Sequence, residues 1–155
     1  MLEDTDRMIV DLLTQDGRMS YTDLARKTGL SVSAAHQRVR RLEQRGVIRG
    51  YTARVDPAAI GLPLTAFVAL TPIDPGAADR VPIALVDLSE VEDCHSVAGT
   101  ESYLLMVRVA SPEGLETLLA ELRARCGMAT RTTVVLSTPF EGRPAPVRDG
   151  GEASP

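Results

Sequence analysis

The sequence predicts an α+β chain in two parts, an N-terminal (winged) helix-turn-helix domain followed by a C-terminal ferredoxin-like βαββαβ domain. Three observations carry this. Over the first 50 residues apolar positions recur at helical spacing between short polar turns. From Leu64 onward the pattern changes to short strand-like runs that alternate with two helical ones. The charge is also divided. Between Leu24 and Arg54, the eight cations Arg26, Lys27, Arg38, Arg40, Arg41, Arg45, Arg49 and Arg54 face the single acid Glu43. That segment is net +7 in a chain of formal net charge -4, so the remaining residues carry -11. Such asymmetry points to an anionic partner, nucleic acid first among them.

In the first helix Ile9, Leu12 and Leu13 share one face, with Asp4 or Thr5 as cap and Asp16-Gly17 as stop. Ser20 followed three residues later by Asp23 resembles a capping box and opens a second helix, Tyr21 to Thr28. Gly29 can take the positive φ that ends it, and Ser31 can cap the third helix, about Val32 to Arg45. There Val32, Ala35, Val39 and Leu42 fall on one narrow face. Ser33, Gln37, Arg40, Arg41 and Gln44 fall opposite, and Arg38 and Arg45 lie on a flank nearer the core stripe. Gly46 ends the helix and Val47 to Val55 reads as extended. DPAAIGLP, from Asp56 to Pro63, reads as a hinge.

The second part is read as a strand from Leu64 to Ile73, a helix from Ala77 to Leu88, strands Glu92 to Ala98 and Ser102 to Val109, a helix from Pro112 to Arg125 and a strand from Met128 to Thr138. This order makes an antiparallel sheet with both helices on one face. Tyr103 to Val109 is apolar at nearly every position, which suggests burial on both faces and hence sheet-to-sheet packing in a homodimer. The expected layout is a helix-turn-helix domain over 1-50, an extended linker over 51-63, the βαββαβ domain over 64-138 and a disordered tail over 139-155, rich in Pro and Gly.

Composition narrows the function classes. With 44% hydrophobic and 25% charged residues, the 155-residue chain has globular values. No apolar run approaches the roughly 18 residues of a membrane span, and MLEDTDR is acidic where a secretory signal is basic, so a cytoplasmic, nucleoid-associated protein is expected. Cys94 and Cys126 are too few and too isolated for a disulfide framework and are read as reduced, partly buried thiols. Cys94-His95 invites a thiol dyad, but neighbours on a strand point to opposite faces; no catalytic residues are assigned. His36 and His95 fall in different domains without ligand spacing, so no metal site and no cofactor are expected.

The run RVRRLEQRGVIRGYTARVDP, Arg38 to Pro57, resembles the leucine-responsive and asparagine-responsive (Lrp/AsnC) family of bacterial transcription regulators. DxxIxxLLxxDGR from Asp6 to Arg18, GLS at Gly29 to Ser31 and VAGTESYLL at Val97 to Leu105 are also similar to it, and the likeness runs in order from about residue 4 to 138. The resemblance implies a regulator that joins a DNA-binding helix-turn-helix to a βαββαβ module for effector binding and oligomerisation. It implies that the third helix enters the major groove, and that a free amino acid binds at the hairpin of the middle strands, between dimers of a tetramer or octamer.

A groove-binding helix needs a packed back, short side chains at base edges and cations at phosphates. The DNA-contacting candidates are Ser31, Ser33, Ala34, His36, Gln37, Arg38, Arg40, Arg41 and Arg45. Gln37 can pair with adenine, and Ser31 or Ser33 with phosphate or base. Arg40 and Arg41 are assigned mainly to phosphate, whereas Arg38 and Arg45 could equally brace neighbouring elements. A solvated cationic face is the bland alternative.

The effector candidates are Gly99, Thr100, Glu101, Ser102 and Tyr103. Glycine allows a tight turn with exposed amides for a carboxylate, Glu101 can meet an ammonium group, and Thr100 or Ser102 can donate hydroxyls. Ser102 stands where the commoner form of the motif has an aspartate, with Glu101 as its substitute. The competing reading is an architectural protein that wraps or bridges DNA without a small-molecule response.

Overall fold

The second and third helices begin where serine hydroxyls satisfy free backbone amides, in a computed structural model that describes residues 2-73 and 81-144. Helix α1 spans Asp4–Gln15, α2 Tyr21–Thr28 and α3 Val32–Gln44. The Ser20 hydroxyl accepts from the Asp23 amide at 3.1 Å and donates to the Asp23 carboxylate at 2.7 Å. The Asp23 carboxylate bonds to the Ser20 hydroxyl, so this is one half of a capping box closed by a side-chain bond. The Ser31 hydroxyl accepts from the Ala34 amide at 3.2 Å. Gly29 at φ 72° and Gly46 at φ 68° take the left-handed turn that releases α2 and α3. Helix α1 departs from expectation: its cap position is Glu3, without a side-chain cap, and Asp4 already lies inside the helix.

Ile9, Leu24, Ala25, Ala35, Val39 and Leu42 form the core of this part, with Leu12, Leu13 and Ile48 partly buried against it. Val32, expected on the packed stripe, is 49% exposed, because the first turn of α3 runs past the core. Residues 49-55 hold no helix or strand, and the expected linker contains a short 3-10 turn at Ala58–Ile60.

The second part runs β1 (Leu64–Pro72), α4 (Val81–Leu85), β2 (Val91–Ser96), β3 (Tyr103–Val109), α5 (Pro112–Cys126) and β4 (Met128–Val134). The sheet order is β2-β3-β1-β4, with all neighbours antiparallel, which is the ferredoxin-like arrangement expected. Of the expected helix Ala77 to Leu88, residues 77-80 lie outside the described residues, as do residues 145-155 of the expected tail. Helix α5 starts with the Ser111 hydroxyl accepting from the Gly114 amide and Pro112 in its first turn, and ends at Gly127 with φ 61°. The two parts are separate compact units, with the division after residue 53, inside the segment read as a linker.

One sheet face packs on the helices: Ala66, Val68, Leu70, Leu105, Val107 and Val109 bury against Leu115, Leu118 and Leu122. A fully buried leucine contributes about 2 kcal/mol by its removal from water. The other face is open in the single chain, where the sequence expects a second copy to cover it. Strand β3 alternates, and Leu104 and Phe67 remain 37% and 39% exposed within the single chain. Its largely apolar run therefore needs a covering that the described residues do not supply.

Candidate functional site

Helix α3 is held from behind and free in front. Ala35, Val39 and Leu42 are buried, whereas Ser33, His36, Gln37, Arg40, Arg41 and Gln44 are exposed and Ala34 is half-buried. At 100° per residue Ser33, Gln37, Arg40 and Gln44 make one outward stripe, flanked by His36 and Arg41. Arg40, Arg41, Arg45 and Arg49 form no ion pair among the described residues and remain open to an anion. Ser31 is shared: its oxygen caps α3 and lies 3.2 Å from the Ser33 hydroxyl. The His36 ring meets the Tyr21 ring edge-on at 4.8 Å, which links the start of α2 to α3.

Arg38 is a correction to the DNA-contacting set. Its guanidinium donates to Glu3 Oε2 at 2.8 Å and to Asp6 Oδ1 at 2.7 Å, joining α3 to α1. These hydrogen bonds, Glu3 first, raise its pKa further. Asp6 is buried, so Arg38 neutralises a carboxylate the core would otherwise hold unpaired. Arg45 caps the C-terminus of α3 through its amide, while its side chain stays exposed.

The positive charge is also smaller than the segment total suggests. Residues 1-53 carry nine cations and seven acids. Arg26 pairs with Asp23, as Arg38 does with Glu3 and Asp6. What distinguishes this unit is the placement of its unpaired arginines.

Sequence reading missed Tyr51. Its hydroxyl donates to Glu43 on α3 at 3.1 Å, and its ring stands beside Gly17, where an added Cβ would come within 3.4 Å. It thereby ties the segment bearing Arg49 to α3. Partial burial, then the Glu43 hydrogen bond, push the Tyr51 pKa up to about 12. A tyrosine whose folded pKa is raised contributes stability that is complete below the unfolded value near 10. That contribution is lost as pH rises through about 12. The ring is 52% exposed, and solvent screening limits the effect to about 1 kcal/mol. Thermal unfolding between pH 9 and 12 should show a steeper loss in the natural chain than in Tyr51→Phe; parallel curves would remove this role.

In the second unit the structure adds two features at the Gly99 to Tyr103 hairpin. Gly99 has no positive φ, and a Cβ there would meet nothing within 4 Å, so the turn itself does not require glycine. Glu101, expected to await an ammonium group, is paired with Arg131 of β4. That hydrogen bond, and a lesser one from its own amide, hold the Glu101 carboxyl below the usual carboxylate range. The Ser102 amide donates to the Leu70 carbonyl at 2.9 Å, and the Ser102 carbonyl accepts from the Val97 amide at 3.0 Å. Tyr103 packs partly buried against the sheet core, and Thr100 is exposed.

The residue Cys94 is exposed and Cys126 is buried; partial desolvation of the Cys94 thiol and burial of the Cys126 thiol push both pKa values up. Among the described residues no cluster of His, Cys, Asp or Glu could hold a metal ion. No helix among them is long and apolar enough to cross a membrane.

Two family models match this chain: winged helix-turn-helix DNA-binding over residues 2-49, and the Lrp/AsnC ligand binding domain over residues 65-145. The chain belongs to the Lrp/AsnC family. It is similar to the HTH-type transcriptional regulator LrpA of Mycobacterium tuberculosis, 51% identical over 142 residues, covering 92% of this chain and 95% of the relative. It is also 39% identical over 140 residues to the leucine-responsive regulatory protein of Escherichia coli, covering 87% and 85% of the two chains. Among solved structures, the feast or famine regulatory protein of M. tuberculosis in complex with L-methionine has a TM-score of 0.91 and 50% identity, with 94% and 99% of the two chains covered. Membership makes this chain a DNA-binding transcription regulator and not an enzyme.

Proposed function

We propose that this Lrp/AsnC regulator reads double-stranded DNA through α3 and that a free amino acid, bound at the Gly99 to Tyr103 hairpin, modulates its DNA affinity or assembly. The observation that carries the DNA reading is the outward stripe of α3, where unpaired arginines follow short polar side chains on a helix whose back is fixed. In this reading Gln37 and Ser33 reach base edges, with Ser31, Ala34 and His36 beside them, and Arg40, Arg41 and Arg45 meet phosphates. The open sheet face, with Phe67 and Leu104 exposed, fits a homodimer that assembles further to a tetramer or octamer and presents paired helices to a roughly palindromic site. A ligand shifts such an assembly only through different affinity for its states. The setting is the cytoplasm, at the nucleoid.

The amino-acid reading draws on the family's ligand-binding module and on the methionine complex of the M. tuberculosis relative. One observation favours an architectural role instead: Ser102 lacks a carboxylate, and Glu101 is already paired with Arg131. A titration of the protein's own upstream DNA at several salt concentrations, with each common amino acid added, separates the two. A shift of affinity or of the ladder of complexes by one amino acid supports the sensor. DNA binding that none of them alters supports the architectural protein. Gln37→Ala should relax preference at particular base pairs, by about 1-3 kcal/mol of discrimination. An unchanged preferred sequence in a selection experiment would remove Gln37 from the readout.

A further inference from the structure

We propose that Glu101 and Arg131 together receive the two charges of a free amino acid, the ligand's ammonium group going to Glu101 and its carboxylate to Arg131. This rests on the amino-acid reading above and adds a residue from β4 that lies outside the hairpin.

The hairpin alone is short of groups for a carboxylate. The Ser102 amide is spent on Leu70, and the Glu101 amide faces its own side chain. The amides of Gly99 and Thr100 remain, but they carry no charge. Arg131 is the cation the structure brings to this hairpin, from 30 residues away in sequence. It stands opposite Ala69 of β1, whose other neighbour across the sheet is Leu104, so only a methyl group occupies the position between β4 and β3.

The exchange balances in charge. Empty, the site holds one carboxylate against one guanidinium. A zwitterion inserted between them turns one ion pair into two and leaves the net charge unchanged, so neither protein group loses a partner. Opening the pair costs little, because an ion pair whose arginine is 73% exposed is weak. The new arginine-carboxylate contact can be bidentate, which a lone ammonium or a lone acid cannot match. The site therefore selects α-amino acids with both charges free.

The test is calorimetric titration of the full chain with L-methionine, then with the other nineteen common amino acids, for the natural chain, Arg131→Ala and Arg131→Lys. The natural chain's ligand should bind Arg131→Ala at least tenfold more weakly, and Arg131→Lys should recover part of the loss. The carboxamide of the same amino acid, which keeps the ammonium group, should bind the natural chain weakly and Arg131→Ala equally weakly. Unchanged circular dichroism and thermal unfolding of the variants show that the fold is intact. Equal or tighter binding by Arg131→Ala overturns the assignment alone and makes Arg131 a mere occupant of the Glu101 site. A natural chain that binds none of the twenty overturns the amino-acid reading and this assignment with it.

Discussion

Replacing Arg40 and Arg41 together by alanine should weaken binding to every DNA sequence by roughly a hundredfold at moderate salt, taking about tenfold, or 1.4 kcal/mol, per lost charged contact. The two side chains stand exposed on α3 without an acidic partner among the described residues, so their removal takes nothing from the fold. Each phosphate contact releases a counterion, so the slope of log affinity against log salt should flatten by about 2. Sequence preference should survive, since phosphates position a helix without reporting bases. Binding measured by fluorescence anisotropy across a salt series checks this. A slope equal to that of the natural chain would return the two arginines to a solvated surface.

Arg38, only two positions before Arg40, should behave in the opposite way. Arg38→Ala should destabilise the N-terminal unit by about 2-3 kcal/mol, since it strands the Asp6 carboxylate in a nearly dry position. Asp6→Ala should cost less, because the partly exposed guanidinium keeps Glu3 as a partner. For a unit of this size the Arg38 change lowers the melting temperature by roughly 10 °C or more. The double change Asp6→Leu with Arg38→Met should recover most of the loss, because it removes both charges and keeps the volume. Thermal unfolding with hydrogen exchange at the α3 amides distinguishes this from a DNA role. If Arg38→Ala leaves α3 as protected as before and weakens DNA binding as Arg40→Ala does, Arg38 belongs back among the contacts.

These two arginines show what the sequence could convey. The ends of α2 and α3 were legible because caps are local: Ser20 and Ser31 act within three residues, and Gly29 and Gly46 act through their own φ. The strand order was legible from the change of period. By contrast Arg38 with Glu3 and Asp6, and Glu101 with Arg131, join residues separated by 30 or more positions. Any acid in the chain could have served, and only the packing of α1 on α3, or of β3 and β4 on β1, selects among them. Counting charge along Leu24 to Arg54 overstated the positive field for the same reason, since the acids that answer it lie earlier in the chain and fold back onto it. The apolar run of β3 points to cover on both faces, and among the described residues only one face is covered; the sequence expects a second copy on the other. Tyr51 lies inside the family-like run Arg38 to Pro57, but nothing local in that run tells that its hydroxyl turns back to Glu43.

Strand β1 has one more effect, through its central position. It pairs with β3 on one side and β4 on the other, so the main chains of those two strands stand two sheet spacings apart, about 10 Å. That gap is fixed by the hydrogen bonds of the sheet and is indifferent to the side chains mounted beside it. The hairpin and β4 thus form a socket of fixed gauge, whose chemistry can be rewritten without disturbing its frame. Exchanging the two charges, Glu101→Arg with Arg131→Glu, would keep the attraction and reverse the polarity, offering an engineer a receptor that seats its guest head to tail.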